Sequence, residues 1–268
     1  MTAHRFPLAD THIHLEQYTD EQISQMLAEF QEGNGAFVVA VSMNLESSKR
    51  TEKLAKQYPD LIHPAYGFHP EQPLPSIKEE NALFEWMQQQ AQAGQMTAVG
   101  EVGLPYYSRL EAIERGDRLD EDGYLRLLER FIVFAAKHDL PIILHAVYED
   151  APIACELLER HGIRRAHFHW FKGDEHTVNR MITNGYMISF TPDLAYENEI
   201  QELALRYPAS LVMSETDGPW QFEHAFANRM THPSMTADVC REWASLRGVS
   251  EDEARRQLFE NAERFYGR

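Results

Sequence analysis

The sequence predicts an α/β protein that folds as a (β/α)8 barrel, and three observations support this. Short apolar segments alternate along the chain with amphipathic, helix-like segments, a pattern typical of parallel βα units. The length of 268 residues is close to the roughly 250 that such a barrel typically needs. The alternative, a doubly wound open sheet, is less favoured because no glycine-rich dinucleotide-binding motif follows any predicted strand.

Eight predicted strands account for the apolar segments. They are rich in Val, Ile, Phe and Tyr, and several are nearly continuous apolar runs, as expected for strands that are buried on both faces. In chain order they cover residues 6–10, 36–42, 61–68, 96–101, 141–146, 165–169, 186–190 and 210–216.

Helices are predicted between and after these strands. The first is expected to have Asp20 as its N-cap and to end before Gly33. Residues 102–120 form the longest stretch that is predicted to be irregular, and such a loop above a barrel often covers the active site. No linker or internal repeat interrupts the pattern, so residues 1–268 are predicted to be one domain. The predicted helices are 20–32, 46–57, 78–93, 121–138, 150–161, 174–183, 197–206, 234–247 and 251–265.

Composition and charge limit the possible functions. The chain has 42 acidic and 25 basic residues, a formal net charge of −17. This charge argues against an extended surface for binding duplex nucleic acid, which needs a basic face. It still allows the end of a nucleic acid to enter a pocket whose local field is set by bound cations.

The expected location is the cytoplasm, without a membrane-embedded segment. The N-terminus lacks the long apolar region of a signal peptide, and no run of about 18 apolar residues occurs. Cys155 and Cys240 are expected to be small buried residues in a reducing compartment, because two distant cysteines form neither a disulfide framework nor a metal-binding CxxC motif.

Histidines and carboxylates lie at the ends of the predicted strands, where barrel enzymes build their active sites. The segment "DTHIH" is the clearest case, because Asp10, His12 and His14 alternate and would point to one face of an extended strand. One such residue alone is more often structural, but a set of this size indicates a metal site. The candidate ligands are His12, His14, Glu101, His145, His169 and Asp217.

Six ligands are too many for one tetrahedral ion and suit two divalent ions. Glu101 is the expected bridging carboxylate. Divalent ions lower the pKa of water to about 7, and Asp217 is the candidate general base. The identity of the ions, among Mg²⁺, Mn²⁺ and Zn²⁺, is left open. Covalent catalysis has little support, because no serine lies in a G-x-S-x-G motif.

Other residues near the candidate ligands have less certain roles. Asp10 either orients a histidine or is part of the buried structure, and Glu215 either supports the metal centre or forms a salt bridge inside the barrel. Four aromatic residues follow candidate ligands and either line the pocket, stacking on a base, or pack at its rim. They are Tyr106, Tyr107, Trp170 and Trp220.

The sequence resembles the TatD family of metal-dependent deoxyribonucleases and hydrolases, which belong to the amidohydrolase-like barrels. The resemblance rests on "DTHIH" (10–14), "GFHP" (67–70), "GEVGL" (100–104), "LPIILH" (140–145), "HWFKG" (169–173), "ETDGPW" (215–220) and "NAERFYG" (261–267). It implies the same six ligands and a phosphodiester-cleaving, commonly exonucleolytic activity on DNA. It also implies that His69 contacts the substrate.

Two positions depart from the family pattern. Pro105 stands where the family usually has an aspartate, and Val147 stands where it usually has an arginine. An arginine is a good phosphate clamp, so the loss at Val147 makes the substrate less certain than the metal chemistry. Arg229 and Lys172 are candidates to replace that contact.

The predicted function is a metal-dependent hydrolase that cleaves single-stranded DNA from an end, or a small phosphodiester. The first alternative is a two-metal hydrolase acting on an amide or ester, which Val147 and Pro105 favour. The second is a non-catalytic metal-binding barrel. The oligomeric state is left open.

Overall fold

A computed structural model describes residues 6–267. In it, eight strands form one sheet in which the strand order follows the chain, β1-β2-β3-β4-β5-β6-β7-β8. The strands are β1 (Leu8–Ile13), β2 (Gly35–Ala40), β3 (Ile62–Tyr66), β4 (Ala98–Gly103), β5 (Ile142–His145), β6 (Ala166–Phe168), β7 (Met187–Phe190) and β8 (Val212–Ser214).

The strands pair in parallel, and the last strand contacts the first. Parallel register is seen for β1–β2, β3–β4, β4–β5, β5–β6 and β7–β8. The Thr11 hydroxyl in β1 donates to the carbonyl oxygen of Ser214 in β8 (3.0 Å), and the Ser214 hydroxyl donates to that of Ala9 (3.1 Å). This topology confirms the predicted (β/α)8 barrel fold class.

Helices connect the strands and follow the last one. Most agree with the predicted segments to within one or two residues. They are α1 (Asp20–Glu32), α2 (Leu45–Gln57), α3 (Ile77–Gln92), α4 (Tyr106–Arg115), α5 (Glu121–His138), α6 (Asp150–Arg160), α7 (Glu175–Asn184), α8 (Asn198–Arg206), α9 (Thr236–Arg247) and α10 (Glu251–Tyr266).

Residues 102–120 are not irregular throughout, and that prediction is wrong for α4. The helix begins directly after Pro105 and ends at Gly116, which has a left-handed φ of 77°. A proline near the start and a glycine past the end are ordinary helix boundary signals. The many charged residues in this stretch led to the prediction of a loop despite these boundary signals.

The predicted N-cap of α1 is also wrong by one residue. Thr19, not Asp20, occupies the cap: its hydroxyl accepts from the Gln22 backbone N–H (3.2 Å), and the Gln22 side chain accepts from the Thr19 N–H (2.9 Å). This reciprocal pair satisfies two amides that the helix leaves without internal acceptors. Asp20 is the first helical residue, where its charge favours the positive helix end.

The chain divides into two compact units. The central unit contains residues 41–52 and 64–186, and the terminal unit contains the described residues up to 40, 53–63 and those from 187 onward. The prediction that residues 1–268 form a single domain stays a prediction. Within residues 6–267, no helix combines the length and the apolar character that crossing a bilayer requires.

The strands supply the buried core, as their composition predicted. Every residue of β1 and β4 is buried, including the polar residues of β1. Cys155 and Cys240 are buried inside α6 and α9 and form no disulfide, as expected. The sequence analysis ended β1 and β4 too early, because polar residues such as Asp10 and Glu101 interrupt the apolar runs although the strands continue through them.

One glycine sets how closely β4 and β5 approach. Gly103 lies opposite His145 in the parallel register, and a Cβ atom added at Gly103 would overlap the carbonyl oxygen and carbon of His145. Because the overlap is with backbone atoms, no side-chain rotation relieves it. Only glycine allows the spacing that places His145 beside β4.

We expect Gly103→Ala to lower the free energy of unfolding by about 3 kcal/mol, since β5 must move away from β4. Urea denaturation followed by circular dichroism measures this change. Gly162→Ala is the control: Gly162 has a φ of 68° but open space around it, so only the left-handed backbone costs energy, about 1 kcal/mol. Equal losses in the two variants would contradict the close-approach explanation.

Candidate functional site

Each unit brings three of the six predicted metal ligands together. The first cluster is His12, His14 and Asp217 in the terminal unit, and the second is Glu101, His145 and His169 in the central unit. In each cluster three ligand atoms, one per residue, lie within 4.8 Å of one another.

The first cluster is built where the backbone continues beyond β1 and β8. His12 lies within β1, His14 directly follows it, and Asp217 is the third residue after β8. The Asp217 N–H donates to the carbonyl oxygen of His12 (2.9 Å), and the His14 N–H donates to that of Gly218 (2.7 Å). These bonds hold the two segments side by side past the strand ends.

The side chains of the first cluster converge on one carboxylate oxygen. Asp217 Oδ1 lies 3.4 Å from Nε2 of His12 and 3.7 Å from Nε2 of His14. The His12 side chain is fully buried, whereas the Asp217 side chain keeps 13% of its surface exposed. The expectation that both histidines point the same way therefore agrees with the geometry, and Asp217 is the most exposed member of this cluster.

Asp10 supports this cluster through the backbone. Its carboxylate accepts from the N–H groups of His12 (3.2 Å) and Thr216 (3.0 Å) and from the Thr216 hydroxyl (2.5 Å). Burial raises the pKa of Asp10 well above its usual value despite these hydrogen bonds. Asp10 thus links β1 to the segment after β8. The alternative role predicted for Asp10, the orientation of a histidine ring, stays a prediction.

Glu215 is fully buried, one residue past the end of β8. Its backbone N–H donates to the carbonyl oxygen of Phe190 (3.0 Å), which extends the β7–β8 pairing. Burial and the nearby Glu215 charge together raise the pKa of the Tyr266 hydroxyl. The predicted supporting role of Glu215 at a metal centre stays a prediction.

Glu16 is a further member that the sequence analysis missed. Its carboxylate is buried, and Oε1 lies 3.5 Å from Nδ1 of His14, on the side of the ring opposite the Nε2 atom that faces Asp217. A carboxylate beside the second nitrogen of a ligating histidine fixes the ring orientation. The only signal in the sequence is an acid two residues after His14.

In the second cluster, one oxygen of Glu101 is surrounded by imidazoles. Glu101 Oε1 lies 2.6 Å from Nε2 of His169, 2.9 Å from Nδ1 of His145 and 3.4 Å from Nε2 of His69. The Glu101 side chain is fully buried in β4. His69, predicted from the family resemblance to contact substrate, is therefore part of this cluster and lies beside its carboxylate.

Glu71 is the second residue that the sequence analysis missed. Its Oε1 lies 3.3 Å from Nε2 of His145, while its two oxygens accept from the N–H groups of Tyr107 (2.9 Å) and Ser108 (2.7 Å). Burial alone would raise the pKa of the Glu71 carboxyl, but the hydrogen bonds from His145 and Ser108 lower it to about 2. Glu71 is thus ionised and connects His145 to the start of α4.

These contacts explain one departure from the family pattern. An aspartate at position 105 would be a favourable N-cap for α4, whereas Pro105 makes no side-chain capping bond. The carboxylate of Glu71, which is distant in sequence, satisfies the amides of Tyr107 and Ser108 instead. The start of α4 is therefore capped without an acid at position 105, and the link between Pro105 and the substrate stays a prediction.

Three residues that follow strands near the clusters have left-handed backbones. They are Tyr148 (φ 48°) after β5, Trp170 (φ 38°) after β6 and Asp217 (φ 48°) after β8. Non-glycine residues rarely adopt this conformation, and it concentrates at functional positions. It supports a functional role for these strand ends.

The residues proposed to replace the missing arginine lie in different surroundings. Lys172 Nζ lies 5.7 Å from the centre of the Trp170 ring, and Arg229 Cζ lies 5.6 Å from that of Phe226. Val147 is 4% exposed, and its side chain has no charged or hydrogen-bonding group that could bind a phosphate. Roles for Lys172 and Arg229 in substrate binding stay predictions.

Both clusters fit divalent metal ions by the chemistry of their donors. Each offers two imidazole nitrogens and a carboxylate oxygen, a set that suits Zn²⁺, Mn²⁺ and related ions. A cation would also offset the negative charge that Glu101 and Asp217 bring into poorly hydrated positions.

Comparisons with known proteins agree with this chemistry. The family model described as TatD related DNase matches residues 9–267. A metal-dependent hydrolase of Haemophilus influenzae is 40% identical over 97% of this chain and 99% of its own length. The chain is also 25% identical to the 3'-5' ssDNA/RNA exonuclease TatD of Erwinia tasmaniensis, over 83% of this chain and 85% of that protein.

Solved structures agree with the fold. The crystal structure of a TatD family hydrolase from Entamoeba histolytica superposes with a TM-score of 0.81 at 18% identity, covering 98% of both chains.

We expect Glu71→Ala to loosen the start of α4, because the amides of Tyr107 and Ser108 lose their acceptor. The free energy of unfolding should fall by about 1 kcal/mol, and hydrogen–deuterium exchange of these two amides should accelerate. Glu79→Ala is the control, since it removes the corresponding carboxylate from the capping box of α3. Unchanged exchange at Tyr107 and Ser108 in Glu71→Ala would contradict the capping role.

Proposed function

Because this chain belongs to the TatD family of metal-dependent hydrolases, we propose that it cleaves phosphodiesters and shortens single-stranded DNA from an end. The observation that carries the proposal is the pair of clusters, each with two imidazoles and a carboxylate. The relative named as a 3'-5' ssDNA/RNA exonuclease supports the choice of substrate class.

In this proposal the two clusters hold divalent ions. His12, His14 and Asp217 would bind one ion, and Glu101, His145 and His169 would bind another. Such ions lower the pKa of water and polarise phosphoryl oxygens. Asp217, the partly exposed carboxylate of the first cluster, would accept the proton from the attacking water. The bridging role expected for Glu101 is part of the same proposal.

The net charge favours attack at an end. With a net charge of −17, the surface is poorly suited to follow a long polyanion, whereas a short terminal segment needs few phosphate contacts. His69, Lys172 and Arg229 are the proposed substrate contacts. Of these, His69 has the strongest support, because its ring lies 4.8 Å from that of His145, centre to centre.

Hydrolysis of an amide or ester is the second candidate function, and Val147 favours it. A buried valine in place of the phosphate-binding arginine is compatible with a substrate that carries no phosphate. The same ions would polarise a carbonyl oxygen.

An end-labelled single-stranded DNA oligonucleotide, incubated with Mg²⁺ or Mn²⁺ and sampled over time, tests the first candidate. Stepwise shortening supports the nuclease proposal and identifies the end that is attacked. No cleavage by protein whose metal content has been verified refutes it and directs the search to amides and esters.

We expect Asp217→Asn to retain the fold but lose at least 100-fold in kcat, because an amide accepts a proton poorly. Single-turnover assays on the same oligonucleotide measure this, with circular dichroism to verify folding. Asp60→Asn makes the same change at an exposed position and should leave kcat unchanged. Full activity of Asp217→Asn would exclude Asp217 as the base.

We expect Glu101→Ala to lower metal content as well as activity, since it removes the carboxylate of the second cluster. Inductively coupled plasma mass spectrometry measures bound metal per chain. Glu80→Ala is the matched control, because Glu80 is a buried carboxylate that pairs with Arg126 and Arg130. Retention of the full wild-type metal content in Glu101→Ala would show that Glu101 is not a bridging ligand.

A further inference from the structure

We infer that Tyr107 forms a stacking platform for a nucleobase of the substrate, beside the second cluster. This inference rests on the proposed function, since it names the part of a DNA substrate that the central unit recognises. Four observations on α4 and its surroundings support it.

First, the Tyr107 ring lies next to a candidate metal ligand. Its centre is 6.1 Å from that of the His145 ring, and the two planes meet at 67°. A group bound on the Tyr107 ring is therefore close to the cluster where hydrolysis is proposed. Stacking on an aromatic side chain contributes about 1–3 kcal/mol per base and tolerates any base sequence.

Second, the ring is exposed although its surroundings are not. Tyr107 keeps 44% of its surface accessible, while His145 and Glu71 beside it have side-chain exposures of 12% and 16%. An exposed aromatic ring next to half-buried polar groups leaves apolar surface available for a planar ligand.

Third, the backbone beneath the ring is fixed. The Tyr107 N–H is held by Glu71, as described above. Arg109, two residues further along α4, forms an ion pair with the fully buried Asp150 (Nη2 to Oδ1, 2.7 Å). A platform held by such contacts loses little conformational entropy when a ligand binds.

Fourth, the neighbouring Tyr106 ring supports the platform, since it lies 5.2 Å from the Tyr107 ring, centre to centre, with the two planes at 87°. Tyr106 lies 5.0 Å from the Tyr148 ring, centre to centre, and the Arg109 guanidinium lies 5.6 Å from the centre of the Tyr106 ring. Tyr106 therefore helps to anchor α4 and packs against the Tyr107 ring, while Tyr107 still keeps 44% of its surface accessible.

The test compares two fluorescent single-stranded oligonucleotides, one with all its bases and one with abasic sugars at the three terminal positions of both ends. Dissociation constants are measured by fluorescence anisotropy, and kcat and KM are measured with Mg²⁺ or Mn²⁺. The proteins are wild type, Tyr107→Leu, Tyr107→Phe and Leu110→Ala. Leu110 is a control on the same helix, with 43% of its surface exposed.

We expect Tyr107→Leu to weaken binding of the complete oligonucleotide by about 5- to 100-fold, with a matching rise in KM. Binding of the abasic oligonucleotide, kcat and metal content should stay as in wild type. Tyr107→Phe retains the ring and should restore most of the base-dependent affinity. Leu110→Ala should resemble wild type with both oligonucleotides.

If Tyr107→Leu weakens the binding of both oligonucleotides equally, the inference is overturned and Tyr107 has a structural role at His145. No change on either would also overturn it. The binding measurement does not depend on turnover. Absence of cleavage by the wild type would therefore refute the proposed nuclease function, while the base-dependent affinity would still decide the role of Tyr107.

Discussion

The central unit is organised around one buried carboxylate. Glu101 lies inside β4 without access to solvent, and one of its oxygens faces imidazole nitrogens of His69, His145 and His169. An ionised carboxylate in such a position is costly unless positive charge or hydrogen-bond donors surround it. The close approach of β4 and β5 at Gly103 and the strand ends that carry the histidines all serve to supply those groups.

The terminal unit also places imidazoles beside a carboxylate, but in a different arrangement. Asp217 lies outside its strand, on a left-handed backbone, and two histidines, one in the first strand and one directly after it, point toward it. Asp10 fastens the two chain segments together through backbone amides and the Thr216 hydroxyl. The carboxylate of the second cluster thus lies within its strand, whereas that of the first cluster lies in the turn after its strand. This difference leaves Asp217 partly exposed and Glu101 fully buried.

Much of the fold and the main ligands could be predicted from the sequence because both depend on local patterns. Apolar runs and amphipathic segments mark the strands and helices, and histidines or carboxylates near strand ends mark the ligands. The roles of Glu71 and Glu16 could not be predicted in this way. Glu71 acts through contacts with Tyr107 and Ser108, which are 36 and 37 positions further along the chain, and with His145. Local sequence patterns do not indicate contacts over such a distance. The helix α4 was missed because its ten residues are rich in charge and the preceding Pro105 has no capping side chain.

The distribution of the ligands along the chain has a consequence for folding order. All residues of the second cluster, with Glu71 and α4, lie between positions 64 and 186, so this stretch is synthesised before residue 217. The first cluster joins residues 12 and 14 to residue 217, a contact of very high sequence separation whose loop must close late. During synthesis, β1 can therefore pair with β2 early, but Asp10, Thr11 and His12 lack their partners in and after β8 until most of the chain exists.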